Sequence, residues 1–272
     1  MSITRSESAS VTVVDLLAAK REGRKLVAVT AYDALFARLV DDAGVDLVLV
    51  GDSLNQVIAG EPTTLSATLD QMIYHGRMVR RGLKRAMLVI DMPFLSYQVS
   101  VEEAIRNTGR VMKETGASAV KLEGGERMAP TVRACVEVGI PVMGHVGLTP
   151  QSVHALGGYR VQARGPEAAR RLENDAVAIE AAGAFAVVLE LVTAEVSAQV
   201  SRRLTVPTIG IGSGPGCDGQ VLVTPDLLGL NDGFNPRFLK RYGSMADDVR
   251  KAVGEFAREV REGSYPGPEH SF

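Results

Sequence analysis

Eight short apolar runs, most of them separated by longer helical stretches, limit what this chain can fold into. The runs are Leu26–Thr30, Asp46–Asp52, Ala86–Asp91, Ala119–Glu123, Pro141–His145, Ala186–Glu190, Pro207–Gly212 and Gly219–Thr224. They are nearly continuous in valine, isoleucine and leucine rather than alternating, the pattern of strands buried on both faces of a parallel sheet. Helical periodicity covers Ala34–Ala43, Thr68–Gly82, Val101–Thr115, Ala129–Val138, Glu167–Ala182 and Ala194–Leu204. This alternation predicts an α/β fold, a (β/α)8 TIM barrel, with an extra N-terminal helix at Val11–Lys20. A doubly wound open sheet is the alternative, but the first strand–helix turn has no GxGxxG fingerprint. Met245–Gly263 reads as a polar-faced helix ahead of a Pro/Gly-rich end. No boundary stands out, so residues 1–272 read as one barrel domain, with 1–10 expected to be flexible.

Composition removes several function classes. A chain of 272 residues that is 46% hydrophobic can bury one large core. Its net charge of −2 is mixed in sign, and the one basic cluster, Arg80–Arg85, is short, so no nucleic-acid partner is expected. No apolar run reaches the roughly 18 residues of a membrane span. The polar N-terminus lacks a secretory apolar core. The only cysteines, Cys135 and Cys217, have no CxxC or metal-ligand spacing. They point to a reducing compartment, and a cytoplasmic setting is the expectation.

Five consecutive apolar runs finish on polar residues: Asp52–Ser53, Asp91, Lys121 with Glu123, His145, and Glu190. One such residue usually caps a helix or meets solvent. In a parallel barrel all strands point the same way, so these ends meet at the rim where barrel enzymes keep their active sites. Burying such groups is costly unless they are paired or bind a cation. Oxygen ligands without cysteine suit a hard ion such as Mg²⁺ better than zinc. Asp52, Asp91 and Glu123, on neighbouring strands, form an arc for one ion, and Lys121 beside them suits an anionic substrate group. Glu190, two strands on, is the candidate general base. Gly124 and Gly125 are read as a backbone turn that leaves room for a ligand.

Three loops add context. Residues 51–64, after the second run, are small and polar, as a lid would be. "GIGSGPGCDGQ", after the seventh, is either a phosphate cradle or a tight barrel corner. Residues 147–165 read as one long functional loop.

These residues lie in motifs that resemble the ketopantoate hydroxymethyltransferase family, also called 3-methyl-2-oxobutanoate hydroxymethyltransferases. The motifs are "TAYD" at 30–33, "LVGDS" at 49–53, "DMPF" at 91–94, "VKLEGG" at 120–125, "GHVGLTPQS" at 144–152, "GGYRVQAR" at 157–164, "IGIGSGPGCDGQVLV" at 209–223 and "YPGPEHSF" at 265–272. Small departures occur. Ala163 and Ser213 stand where the family usually has glycine and alanine, and Asn55 where a small residue is commoner.

The resemblance implies transfer of a hydroxymethyl group from 5,10-methylenetetrahydrofolate to 3-methyl-2-oxobutanoate, giving 2-dehydropantoate and tetrahydrofolate, through a Mg²⁺-stabilised enolate in pantothenate synthesis. It implies Asp52, Asp91 and Glu123 as Mg²⁺ positions, and Asp52, Ser53, Asp91 and Lys121 as keto-acid contacts. It implies Glu190 as proton acceptor and a homo-oligomer, in bacteria often a decamer. His145 is read as a further substrate-binding residue that orients the keto acid or relays a proton. The competing readings are a Mg²⁺-dependent lyase of the isocitrate lyase or phosphonomutase type, a non-catalytic binding barrel, and a barrel for a phosphorylated substrate.

Overall fold

The computed structural model describes residues 10–272. The expectation for residues 1–10 therefore falls almost wholly outside the described part. Contacts divide the chain into two units, which meet between Val223 and Thr224.

The first unit opens with α1 (Val13–Glu22). It continues through β1 (Leu26–Thr30), α2 (Ala34–Asp42), β2 (Leu47–Val50), α3 (Leu54–Val57), α4 (Leu69–Gly82) and β3 (Met87–Asp91). Next come α5 (Val101–Thr115), β4 (Ala119–Glu123), α6 (Ala129–Glu137) and β5 (Val142–Gly147). It ends with α7 (Pro166–Ala181), β6 (Ala186–Glu190), α8 (Ala194–Arg203), β7 (Thr208–Ile211) and β8 (Gly219–Leu222). The eight strands pair in chain order, all parallel, and β8 closes on β1. The fold is thus the expected TIM barrel with its extra N-terminal helix.

Local chemistry sets the helix ends. Asp33 accepts from the Phe36 amide and starts α2, and Ser100 accepts from the Glu103 amide and starts α5. Thr68 and Gln71 form a reciprocal capping box at α4. Gly23 and Gly116 end α1 and α5 at φ 69° and 71°.

Pleating sends every second strand residue into the barrel. Leu26 and Ala28, Leu47, Met87 and Val89, Ala119, Met143, Ala186 and Val188, Ile209 and Val221 form one buried cluster. Leu16 and Ala19 of α1 belong to the same cluster, so the N-terminal helix packs on the barrel interior. Lys20 of that helix reaches Asp218 at 2.7 Å and the Ser201 carbonyl at 2.7 Å.

Between β7 and β8 the chain uses no helix. Residues 212–218 lie against α8: a Cβ on Gly214 or Gly216 would meet the Cβ of Ala194 or Ala198 at 2.6 and 2.5 Å. The Ser213 hydroxyl donates to the Leu189 carbonyl at 2.6 Å and accepts from the Val192 amide at 3.1 Å. These contacts give the glycines of this loop a packing role, as a tight corner would. Asn55 closes the lid-like loop on itself, donating to the Thr63 carbonyl and the Ser66 hydroxyl at 2.7 and 2.9 Å. Ala163, at the family's glycine position, has φ 59°. That left-handed backbone costs a non-glycine residue about 1–2 kcal/mol.

The second unit holds α9 (Thr224–Leu227) and α10 (Met245–Glu262). The eighth strand was expected to reach Thr224, but Thr224 instead begins α9. The Arg241 guanidinium gathers the segment between the helices, donating to the Asp232 and Phe234 carbonyls at 2.9 Å each. Val249, Val253, Phe256 and Val260 repeat at helical spacing along α10, and all are 46–60% exposed.

Two predictions follow from these contacts. The Asp41 carboxylate accepts the Lys84, Arg85 and Ala86 amides at 2.7, 3.0 and 2.6 Å, just ahead of β3. Burial alone would raise its pKa, but these amides and Arg85 outweigh burial and hold it below the ordinary 3.8. A depressed folded pKa gives stability that is complete above the unfolded value and lost as pH falls through the folded one. Urea unfolding of Asp41→Asn should show a loss of about 1–3 kcal/mol at pH 7, and the gap to wild type should close below pH 3.8. Ser213→Ala leaves the Val192 amide without its partner. It should cost about 1–3 kcal/mol in the same assay.

Candidate active site

The C-terminal ends of β3 to β6 deliver ionisable side chains to one place. Asp91 is in register with Lys121, Glu123 with His145, and Gly147 with Glu190. Parity turns them inward. Lys121 and Glu123 share the side of buried Ala119, Asp91 that of Val89, His145 that of Met143, and Glu190 that of Val188. Asp52 arrives differently. The second strand was expected to run to Asp52, but β2 stops at Val50 and Asp52 lies in the turn beyond it.

The side chains form a connected network. Lys121 Nζ lies 2.9 Å from Asp91 Oδ1 and 3.1 Å from His145 Nδ1. His145 Nδ1 lies 3.4 Å from Glu123 Oε1, and its Nε2 3.3 Å from Glu190 Oε2. The Asp52 amide donates to Asp91 Oδ2 at 3.1 Å. Asp52, Asp91, Lys121, Glu123 and His145 are all buried, while the Glu190 side chain keeps 18% exposure. The expected residues thus come together, except that the Ser53 hydroxyl meets the Tyr32 phenol at 2.9 Å rather than this network.

Charge is unbalanced here. Four carboxylates face one lysine and one histidine. Burial, then Asp91 and Glu123, push the Asp52 carboxyl up to about 8. Burial raises Asp91 too, against the pull of Lys121. Glu123 is held down despite its burial, chiefly by His145 and Lys121. Burial would deprotonate Lys121, but Asp91, Glu123 and Asp52 outweigh it and raise its pKa, so the amine stays an ammonium and is no nucleophile.

For His145, burial and Lys121 oppose a second proton, while Glu123 and Glu190 raise the pKa to about 9. The contact with the Lys121 ammonium favours the neutral ring. The ammonium has only protons to offer, so at 3.1 Å Nδ1 accepts and the neutral ring's proton sits on Nε2, which lies 3.3 Å from Glu190 Oε2 without hydrogen-bond geometry.

Could this set hold a cation? Glu123 Oε1 is buried with no hydrogen bond of sound geometry, whereas Asp91 Oδ1 already has the Lys121 ammonium at 2.9 Å. A buried carboxylate oxygen such as Glu123 Oε1 is costly unless a cation satisfies it. Among the described residues no group of three or more His, Cys, Asp or Glu side chains is placed to hold a metal ion. An ion such as Mg²⁺ would take one or two of these carboxylates directly, with water and substrate oxygens in its remaining positions.

One residue escaped the sequence reading. Gln151 sits in a short 3₁₀ turn after β5, Pro150–Ser152. Its Nε2 donates to Asp52 Oδ2 and the Met92 carbonyl at 2.9 Å each, and its backbone amide donates to Glu123 Oε2 at 3.0 Å. Tyr97 and Gln98 donate to its Oε1 at 2.9 and 3.0 Å. A lone glutamine in a loop carries no periodic signal; only burial marks it.

Gly124 makes the expected backbone turn at φ 124°, and Gly125 has a packing reason of its own. A Cβ on Gly125 would lie 1.9 Å from Asp175 Oδ1, which accepts the Glu126 amide at 2.8 Å. Directly after Glu190, Leu191 stands in left-handed backbone at φ 47°. The neighbouring strands hold it there: its amide donates to the Ile211 carbonyl at 2.8 Å, and the Leu148 amide donates to the Glu190 carbonyl at 2.8 Å.

Known proteins place this site in context. A structure of 2,3-dimethylmalate lyase, a PEP mutase/isocitrate lyase superfamily member, matches with a TM-score of 0.61 over 95% of this chain and 87% of that one. At 18% identity the likeness concerns the fold alone. A 3-methyl-2-oxobutanoate hydroxymethyltransferase of Pelobacter propionicus is 55% identical over 96% of this chain and 97% of its own length. One of Syntrophotalea carbinolica is 55% identical over 96% and 98%. The profile of the family described as ketopantoate hydroxymethyltransferase matches residues 10–268. The chain belongs to the ketopantoate hydroxymethyltransferase family and is an enzyme of the hydroxymethyltransferase class.

Proposed function

We propose that this enzyme moves the methylene carbon of 5,10-methylenetetrahydrofolate, with water, onto C3 of 3-methyl-2-oxobutanoate, yielding 2-dehydropantoate and tetrahydrofolate. The observation that carries the reading is the chain Asp91–Lys121–His145–Glu190, linked at 2.9, 3.1 and 3.3 Å. It sets a fixed positive charge and a carboxylate base at the two ends of one buried site.

Asp52 and Asp91, with Glu123, would hold a divalent cation, Mg²⁺ by ligand hardness. When bound, such an ion supplies Lewis-acid stabilisation of negative charge on the keto acid's oxygens, typically several kcal/mol. The other work falls to the protein's own side chains. Lys121, kept protonated by its carboxylates, attracts the substrate's carboxylate or developing oxyanion. Glu190 takes the C3 proton, and the enolate carbon bonds to the folate-borne methylene; both methylene C–N bonds are lost, water supplies the hydroxyl, and the C3 proton and one water proton end on the two nitrogens of tetrahydrofolate. His145 Nε2 lies 3.3 Å from one Glu190 oxygen, close enough to orient the base once a substrate tightens the site and to leave its second oxygen for the proton. The exposed apolar row on α10 supports self-association of the chain, a decamer by resemblance to bacterial relatives. A cytoplasmic setting completes the reading.

Among the described residues no helix is long and apolar enough to cross a membrane. The lyase alternative rests on a fold likeness only, whereas the transferase name comes with half-identical relatives over nearly the whole chain.

Incubation with Mg²⁺ and 3-methyl-2-oxobutanoate in D₂O, without folate, should show metal-dependent deuterium entry at C3 by NMR. Glu190→Gln should slow it about 10²–10⁴-fold. Addition of methylenetetrahydrofolate should then yield 2-dehydropantoate. No exchange in the wild-type protein would overturn the reading, and unchanged exchange in Glu190→Gln would remove that residue's role.

A further inference from the structure

We infer that Gln151 is the positioning residue that holds Asp52 and Glu123 in cation-binding geometry, an inference that rests on the metal reading above. Its side chain uses every hydrogen-bonding position it has. The two Nε2 hydrogens go to Asp52 Oδ2 and the Met92 carbonyl, and the two Oε1 lone pairs take the Tyr97 hydroxyl and the Gln98 amide. The amide orientation is fixed by its partners, since a carboxylate and a carbonyl can only accept. The backbone amide of the same residue takes Glu123 Oε2.

One residue therefore bridges the turn after β2, the residue after β3 and the last residue of β4. These are the three strand ends that bring in Asp52, Asp91 and Glu123. Each of the three carboxylates has one oxygen held by an N–H donor: Asp52 Oδ2 and Glu123 Oε2 by Gln151, and Asp91 Oδ2 by the Asp52 amide. Of the opposite oxygens, Glu123 Oε1 is buried without a sound hydrogen bond, and Asp91 Oδ1 faces the Lys121 ammonium at 2.9 Å. Gln151 thus decides which oxygens of Asp52 and Glu123 are left for a ligand.

Charge explains the residue type. A lysine here would cancel one of the site's negative charges, and a glutamate would add a further carboxylate to a cluster already short of positive charge. A neutral amide orients the carboxylates without changing their total charge. Tyr97 locks it in turn, accepting from the Glu123 amide at 3.0 Å. Donors that orient metal-binding side chains in this way are typically worth 10–100-fold in metal affinity.

Isothermal titration of Mg²⁺ alone into metal-free protein tests this. Gln151→Met, which keeps the length and loses the donors, should weaken Mg²⁺ binding about 10–100-fold. Tyr97→Phe, which frees the Gln151 side chain without removing it, should weaken it less and in the same direction. Raising Mg²⁺ should bring the C3 exchange rate of Gln151→Met back toward wild type, a recovery that a merely structural defect would not show. Should Gln151→Met fail to fold, Tyr97→Phe carries the test. Wild-type Mg²⁺ affinity in a folded variant, or a rate that excess Mg²⁺ does not restore, would overturn the role of Gln151 while the wild-type exchange still supports the reaction. Absence of Mg²⁺ binding by the wild-type protein would instead overturn the metal reading itself.

Discussion

Four carboxylates share one end of a barrel with a single fixed positive charge, and the local architecture answers to that imbalance. Two like charges 4 Å apart repel by about 4 kcal/mol at an effective dielectric of 20. The buried Asp52 accordingly has a pKa pushed up to about 8, so at neutral pH a proton substitutes for missing positive charge. A divalent cation could take that proton's place. Lys121 cannot balance the cluster alone, and its proton is held by Asp91, Glu123 and Asp52 together. The cluster therefore reads as a place prepared for charge that arrives with a ligand.

The barrel allows this because it separates folding from chemistry. Its interior near α1 is apolar, with Leu16 and Ala19 packed against inward residues of the strands. Polar contacts there satisfy backbone: Asp41 takes three amides ahead of β3, and Lys20 joins Asp218 and the Ser201 carbonyl. Toward the C-terminal ends the same inward rows change from Ala119 to Lys121 and Glu123, and from Met143 to His145. In such barrels one face carries stability and the other function. At Leu191 and Ala163 the backbone is left-handed, so the loops beside the site are held in place by their neighbours rather than by their own preferences.

What was legible in the sequence followed from periodicity. The β4 run Ala119–Glu123 was read residue for residue, and period two placed Lys121 and Glu123 on one face. The polar ends of successive strands suggested one site because parallel strands must end on one side. Less could be read where a residue's role depends on a partner far along the chain. Gln151 is defined by Asp52, 99 residues away, and nothing in "GLTPQS" announces that contact. Gly125 was attributed to a ligand, but its neighbour is Asp175 of α7. Asp52 was expected on a strand, and the Asp91 carboxylate instead receives its amide in a turn. The loop at 212–218 is ambiguous in sequence because glycines serve phosphates and tight packing alike; Ala194 and Ala198 show the packing.

The central claim is that buried negative charge at the rim is completed by a cation. Thermal unfolding of the wild-type protein and of Asp52→Asn, each with EDTA and with millimolar Mg²⁺, tests it most directly. A ligand that binds only the folded state raises its stability by mass action. Without metal, Asp52→Asn should melt higher than wild type, because it escapes the cost of holding a proton on the buried Asp52 carboxyl. With Mg²⁺ the order should reverse, as the wild-type protein gains stability and the variant does not. A wild-type melting temperature indifferent to Mg²⁺, or an equal gain in Asp52→Asn, would contradict the account.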